Sequence, residues 1–316
     1  MDNQSINAKI YDDEIDLRDL LSILWSEKIK VIIITAVFAV SSVFYALSIP
    51  NQYKATALLA PAQSDGGGLS SAFGQLGGLA SITGIRIGSG MSSESQIAQE
   101  IMKSWSFVET FIADNDLEVE VYAAESWSKN SNKLQINEYI YDTANDKWLT
   151  EDSNGDVKPP TSWQLFKKFL TMLSVSEDNK SGLVSVSIEY YSPEMAKEWL
   201  DIYIDAINEH MQSRQVAKVS NNISYLKAQI EKTSIAEMRE VFYTIIEEQT
   251  KNKMVAEASP DYAFVAVSPS MVPEQRSQPK RALICILVTL FGAMLSALVV
   301  IVTHYAKSSW HDQKVS

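Results

Sequence analysis

Two long apolar runs, at residues 31–53 and 282–303, constrain the fold of this chain more than any other feature. Crossing the ~30 Å hydrocarbon core of a bilayer takes ~20 apolar residues in a helix, and each run is long enough. A cleaved secretory signal is the alternative for the first run, and a buried core helix is the alternative for the second. The sequence predicts two transmembrane helices that bracket one large polar body at residues 54–281.

Basic residues in the short end segments predict the orientation, because long intervening domains cross the membrane largely regardless of their charge. Those residues are Lys9, Arg18, Lys28, Lys30, Lys307 and Lys314. Lys280 and Arg281 lie on the other side of the second run and weaken its own signal. Since two spans put both tails on one side, we expect cytoplasmic tails at residues 1–30 and 304–316, and a body outside the inner membrane, in the periplasm if the cell has one.

The first tail carries an amphipathic pattern. Leu17, Leu20, Leu21 and Leu24 recur at helical spacing, with charged residues on the opposite face. This pattern predicts a short helix that lies at the inner membrane interface. A cytoplasmic extension of the spanning helix is the alternative.

Charge and residue usage argue against several classes of function. The formal net charge of −12 disfavours a nucleic-acid partner, whose phosphates need a basic surface. The single cysteine, Cys285, lies inside the second apolar run, so no thiol pair can bind a metal. The three histidines are His210, His304 and His311, and no hydrolase or zinc-site motif accompanies them. We therefore expect a protein that is not an enzyme, with no catalytic residues, cofactor or metal.

Three segments have the alternating pattern of β-strands. They are residues 53–61, 183–191 and 262–268, which are far apart in sequence. Because the first and last of them adjoin the two spans, we expect them to meet in one small sheet at the membrane-proximal base. The predicted fold class is an α/β periplasmic domain, with this sheet plus a long extended helix, between two transmembrane helices.

The long helical arm is predicted at about residues 192–258, because Ser192 can cap a helix and Pro193 suits its first position. A polar stretch at residues 212–222 suggests a bend or joint. If continuous, ~65 residues at ~1.5 Å each would extend almost 100 Å. A body of this size cannot bury such a helix, so its apolar stripe predicts oligomerisation with identical copies.

Two further segments invite a binding interpretation. The glycine-rich stretch at residues 66–90 includes Gly66, Gly67, Gly68, Gly77 and Gly78. It contains no lysine, so a phosphate-binding loop is disfavoured and a flexible loop is expected. The tryptophans Trp105, Trp127, Trp148, Trp163 and Trp199 could stack on sugar rings, although core packing is the alternative for each.

The approach to the second span and the span itself supply candidate packing positions. Pro273 and Pro279 keep the approach extended and stiff. Within the span, Gly292 and Ser296 form a small-x-x-x-small pair that permits close approach of another helix. We expect pairing with the first span.

Four segments of this sequence resemble one known family. They are residues 13–20, 52–61, 191–196 and 261–284, of which the last is the most specific. In these segments the chain is similar to the Wzz chain-length determinants, the bacterial polysaccharide co-polymerases. Residues 115–161 carry little of the resemblance.

The resemblance implies a periplasmic body with an α/β base and a long helical arm, assembled as a ring or bell of several protomers. It also implies partnership with a Wzy-type polymerase that extends lipid-linked O-antigen repeats. The chain would set the modal length of that polysaccharide, or of a related one, without making or breaking a bond. A two-span periplasmic sensor or export adaptor of a polysaccharide system is the alternative, and a membrane-anchored hydrolase is a third class.

Overall fold

The computed structural model describes residues 24–62, 90–150 and 155–315. The predicted interfacial helix, apart from Leu24, and the five candidate glycines of the glycine-rich stretch lie outside these residues. The described chain falls into two compact units, one drawn from Met1–Ile49 and Gln278–Ser316 and the other from Pro50–Ser277.

The elements follow one another in a helix–strand order that begins and ends with a long apolar helix. In chain order they are α1 (Lys28–Ser48), β1 (Tyr53–Pro61), α2 (Gly90–Met102), α3 (Trp105–Asp114), α4 (Glu118–Ala123), β2 (Ala124–Ser128), β3 (Lys133–Ile136), β4 (Tyr141–Asp142), β5 (Lys147–Trp148), α5 (Ser162–Leu170), β6 (Leu173–Glu177), β7 (Val184–Tyr190), α6 (Pro193–Lys232), α7 (Ala236–Glu257), β8 (Phe264–Ser268) and α8 (Arg281–Val315).

Helices α1 and α8 form the first unit and pack against each other. Among the described residues, these two helices are long and apolar enough to cross a membrane. Their outer faces are exposed, with Phe44 at 71% and Phe291 at 61%, whereas a core helix of a soluble protein would be mostly buried. The first apolar run was predicted to span as far as residue 53, but α1 ends at Ser48. Pro50 forces Ile49 into an extended conformation and so ends the helix.

The second unit is built on a four-stranded antiparallel sheet with the order β6–β7–β1–β8. This confirms the predicted α/β fold and the meeting of three distant strands, because β1 pairs with β7 from Tyr53 opposite Tyr190 and with β8 from Leu59 opposite Ala266. The sequence did not predict β6. It begins at Leu173, shortly after α5 ends at Leu170.

One face of the sheet packs against the first half of α6. The buried residues of β1 alternate along the strand, as one covered face requires. The core residues that meet there are Ala55, Ala57, Leu59, Val184, Val186, Ile188, Trp199, Tyr203 and Ile207. An aromatic cluster extends this core to α3 and α5, where the Phe111 ring lies 4.7 Å from that of Tyr203 and 5.5 Å from that of Phe169.

A buried amide on α6 closes the free edge of the sheet. β8 is an edge strand, so the backbone groups that face away from β1 have no strand partner. Asn208, which is 2% exposed, donates from Nδ2 to the Phe264 carbonyl at 3.0 Å. Its Oδ1 accepts from the backbone N–H groups of Ala263 at 2.9 Å and of Phe264 at 2.8 Å. The carboxamide thus replaces a neighbouring strand at this position.

The helical arm is a hairpin of two long helices, whereas the sequence had left open one continuous helix or a helix with a joint at residues 212–222. α6 has 40 residues and α7 has 22, and the chain reverses at residues 233–235. The return is antiparallel, because Gln212 of α6 donates from Nε2 to the carbonyl groups of Ala256 and Ser259, each at 2.9 Å. The bend suggested at residues 212–222 is absent, since α6 runs through them without a break. That stretch is polar because much of it faces solvent.

The described residues between 115 and 161 form a small insertion beside α3 and α5. It contains α4 and two hairpins, β2–β3 and β4–β5. The insertion is attached to the sheet by Tyr190, whose hydroxyl donates to the Glu120 carbonyl at 2.8 Å. Burial raises the pKa of the Tyr190 phenol, so this donor keeps its proton throughout the physiological range.

Candidate functional site

Gly292 and Ser296 lie on the face of α8 that contacts α1. A Cβ built on Gly292 would lie 2.5 Å from Cβ of Phe38, which is closer than any two such carbons can approach. Ser296 is fully buried, and its hydroxyl lies 3.2 Å from the hydroxyl of Thr35. The absence of a side chain at Gly292 therefore permits the close approach of the two helices. What this packing does for the function stays a prediction.

Arg281 links the first residue of α8 to the carboxyl end of α1. Its Nε donates to the Ala46 carbonyl at 2.9 Å, and a terminal nitrogen of its guanidinium lies 3.4 Å from the Ile49 carbonyl. These are carbonyl groups at the carboxyl end of α1, where the helix dipole is negative and no intrahelical donor remains. The sequence had counted Arg281 only as a charge that weakens the orientation signal. The structure assigns it to the junction of the two helices.

The segment between β8 and α8 holds the two candidate prolines. Pro273 is half-buried, and Pro279 is buried after a cis peptide bond with Gln278. Ser277, which lies between them in sequence, donates from its backbone N–H at 2.8 Å and from its hydroxyl at 3.0 Å to the Gln52 carbonyl. Its hydroxyl also contacts the Glu189 carboxylate of β7. The segment is therefore fixed to the sheet as far as residue 277.

The hairpin of α6 and α7 leaves an apolar stripe uncovered. On α6, Val219 is buried, and the residues at helical spacing after it, Ile223, Leu226 and Ile230, are half-buried, as expected of a seam with α7. On α7, Met238, Val241 and Ile245 share another face and are 44%, 54% and 36% exposed. The stripe predicted on the sequence is thus divided. One part lies within the hairpin, and the part on α7 stays available to a partner.

Acidic side chains cluster near the base of α6. The Asp201 carboxylate accepts from the hydroxyl of Ser270 and pairs with Lys197. Burial, followed by the negative charges of Asp201 and Asp261, raises the pKa of Asp205 above its usual value. Within the described residues, no group of three or more His, Cys, Asp or Glu side chains could hold a metal ion. The cluster therefore offers a source of pH-dependent stability.

The only histidine in the second unit packs as an ordinary aromatic residue. The His210 ring meets the Phe107 ring edge-on, with 5.4 Å between the ring centroids. Trp199 lies in the core at 2% exposure, beside Tyr190 at 4.3 Å. Of the tryptophans proposed for sugar stacking, Trp199 is therefore unavailable, whereas Trp148 lines an open cleft.

Comparison with known proteins gives one family and several similar structures. A full-length bacterial polysaccharide co-polymerase is 14% identical, with 93% of this chain and 99% of that chain covered and a TM-score of 0.40. A fragment of WzzB, a polysaccharide co-polymerase from Salmonella Typhimurium, is 12% identical, with 72% and 100% covered and a TM-score of 0.32. No curated protein matches the sequence.

These structural similarities have low identities and low TM-scores, so the assignment to a family rests on the sequence match. That match covers residues 13–115 and is to the Wzz family, described as chain length determinant protein. It includes the first apolar helix, α1, and the central strand, β1. Over residues 13–115, this chain is similar to the Wzz family of chain length determinant proteins.

Proposed function

We propose that this chain is an inner-membrane polysaccharide co-polymerase that regulates the modal chain length of lipopolysaccharide O-antigen, or of a related surface polysaccharide. The observation that carries this proposal is the Wzz match over residues 13–115, in a chain whose two apolar helices bracket a single large body. The chain acts with a Wzy-type polymerase on a lipid-linked polymer. It forms and breaks no bond itself.

A scaffold role agrees with the hydrogen bonds that the buried polar side chains of the body make. The buried amide of Asn208 and the buried hydroxyl of Tyr203 are both bonded to backbone groups of neighbouring elements. Such groups hold elements together and are not presented to a substrate. The two-span sensor or export adaptor gains no support from the Wzz match.

In the proposed topology both termini are cytoplasmic and the second unit lies in the periplasm. The basic residues of the first tail support this orientation. Lys280 and Arg281 weakened this signal, and the bonds of Arg281 to the carbonyl groups at the end of α1 give that charge a structural role that does not depend on which side of the membrane it faces. A cysteine introduced in the exposed tip of the hairpin should react with an impermeant maleimide in whole cells with a permeabilised outer membrane. Reaction only after lysis would contradict this orientation.

The active form is proposed to be a homo-oligomer, in a ring or bell. The exposed apolar stripe of Met238, Val241 and Ile245 supports this, because apolar side chains in regular array on a surface helix mark contact surfaces. A ring requires a heterologous interface that closes on itself. The mass of the intact assembly, extracted in detergent, tests this point, and a lone protomer would contradict it.

Deletion of the gene tests the function directly. Surface polysaccharide from the deletion strain, run on a gel, should lose the clustered distribution of chain lengths, and the full chain supplied on a plasmid should restore it. Unchanged banding in the deletion strain would refute the proposal. Unchanged banding with an altered transcriptional response to envelope stress would favour the sensor instead.

A further inference from the structure

A cleft of ≈ 380 Å³ opens between α3, α4, α5 and strand β5. This volume lies within the range of small-molecule sites in proteins, at its lower end. Side chains from four elements that are separate in sequence converge on it. The ones that matter for recognition are Glu109, Glu118, Trp148, Pro159, Pro160 and Ser162.

The indole of Trp148 is held in a fixed orientation on one wall. Trp148 pairs with Tyr141 across β4 and β5, and their rings meet at 68° with centroids 4.9 Å apart. The ring of Tyr122 supports it from another side at 6.2 Å and 71°. Trp148 is nevertheless only half-buried. A flat, partly exposed aromatic surface that needs no reorganisation suits the apolar C–H face of a sugar ring.

The polar groups of the cleft are hydrogen-bond acceptors. The side-chain carboxylates of Glu109 and Glu118 have no hydrogen bond or ion pair with another residue in the described part of the chain. An ionised carboxylate accepts hydrogen bonds and donates none, so it favours a ligand rich in hydroxyl groups. The same two negative charges repel an anionic ligand. The hydroxyl of Ser162 adds a group that can donate or accept.

A second part of the cleft lining is also rigid. Two prolines, Pro159 and Pro160, form it, and the bonds between Thr150 and Lys158 hold the chain just before them, with the Lys158 N–H donating to the Thr150 carbonyl at 2.8 Å. Just after them, Thr161 caps α5 through a reciprocal bond with Gln164. The cleft therefore has its shape before any ligand arrives.

We propose that this cleft binds one pyranose unit of a neutral polysaccharide, with Trp148 stacked on the ring and Glu109 and Glu118 accepting from its hydroxyl groups. That the ligand is a polysaccharide rests on the proposed function, which this site deepens, and that it is neutral follows from the two carboxylates. The body would then hold the growing chain at a defined position, and uronic acids would bind poorly.

Saturation-transfer NMR on the purified full chain tests this site. The protein is held in lauryldimethylamine oxide micelles, which carry no sugar. The probes are methyl glucopyranoside, methyl N-acetylglucosaminide and methyl glucuronide. At least one of the neutral probes should receive saturation from the protein, and the glucuronide should receive much less.

Two variants locate the binding. Trp148→Ala should weaken the neutral signal roughly fivefold, because it removes the stacking surface. Trp163→Ala is the matched control, since Trp163 is 52% exposed on α5 and covered by Lys167, which lies 5.2 Å from its ring. The control should bind as the wild type does. Equal losses in both variants, or no transfer to either neutral probe, would overturn the proposal.

A second substitution guards against misfolding of the insertion in Trp148→Ala. The double change Glu109→Gln with Glu118→Gln keeps side-chain size and removes both charges, so it should admit the glucuronide. Continued exclusion of the glucuronide would overturn the assigned role of the carboxylates. These measurements need no chain-length activity. A failure here leaves the deletion experiment standing, and failure of the deletion experiment leaves the sugar binding measurable.

Discussion

The buried amide of Asn208 should contribute more to the stability of the body than any other single polar side chain of α6. In the variant Asn208→Ala, the Phe264 N–H and carbonyl lose their only side-chain partner. Phe264 is fully buried, so water cannot replace the amide without opening the edge of the sheet. The Ala263 N–H loses its acceptor as well.

The expected cost follows from these groups. Leaving a buried backbone donor or acceptor unsatisfied costs ~1–3 kcal/mol. Two such groups on Phe264 give a range of about 2–6 kcal/mol, and relaxation of an edge strand toward solvent favours the lower half. We expect the free energy of unfolding to fall by about 3 kcal/mol, which lowers the urea midpoint by ~1 M at a slope of ~3 kcal/mol/M.

Urea unfolding of the full chain in detergent, followed by tryptophan fluorescence, measures this change, because Trp199 lies in the core next to Tyr190. Asn222→Ala is the matched control, since Asn222 is an exposed residue of the same helix. Amide hydrogen exchange reports on β8 itself, and the peptide that contains β8 should exchange faster only in Asn208→Ala. An unchanged midpoint, or equal shifts in the variant and the control, would refute the reasoning.

Three further changes test other parts of the structure. Gly292→Val should separate α1 from α8, because even a Cβ would lie 2.5 Å from Phe38; overpacking of this kind costs ~1–3 kcal/mol, and we expect broadened or lost clustering of chain lengths on a gel, whereas the lipid-exposed control Leu298→Val should band normally. Val241→Glu places a charge in the apolar stripe of α7 and should lower the mass of the detergent-extracted assembly, and an unchanged mass would exclude this surface as an interface. The raised pKa of Asp205 means that the folded state binds its proton more tightly than the unfolded state, so its contribution to stability is complete below pH 3.8 and declines as the pH rises from there through the raised value. Asp205→Asn should remove that decline from a series of urea midpoints, and a decline of equal size in the variant would assign it to another group.

Local sequence patterns were sufficient to predict the strands with alternating apolar residues and the start of the long helix α6. The alternation in β1, β7 and β8 identified three strands, and their positions next to the apolar runs indicated that they would meet. Ser192 and Pro193 marked the start of α6, where the Ser192 hydroxyl accepts from the Met195 N–H. Each of these signals lies within a short stretch of sequence, so it can be recognised without knowledge of the tertiary structure.

The features that the sequence did not predict depend on weak local signals or on distant partners. The reversal between α6 and α7 contains Thr233, Ser234 and Ile235, with neither the glycine nor the proline that usually marks a turn. Strand β6 has only five residues and begins shortly after α5 ends. The sequence therefore marked neither the reversal nor this strand.

The candidate sites illustrate the same limit. A glycine at position 292 predicts close packing, but only the three-dimensional structure identifies Phe38 as the neighbour. Arg281 was treated as a charge on a loop, because its acceptors belong to a helix at the other end of the chain. The cleft at Trp148 draws on four elements, and no spacing in the sequence connects Glu109 with Pro160.

The central position of β1 has a consequence for biogenesis. β1 is the first of the described strands to leave the ribosome, and it requires a neighbour on each side, yet β7 and β8 are translated much later. Until then the nascent chain carries this strand with both edges unpaired, and pairings between such distant segments form slowly. An unpaired strand can meanwhile associate with other polypeptides. The interval before β8 emerges is thus the period of greatest risk for misassembly, and a chain that stops short of residue 264 has no route to the native sheet.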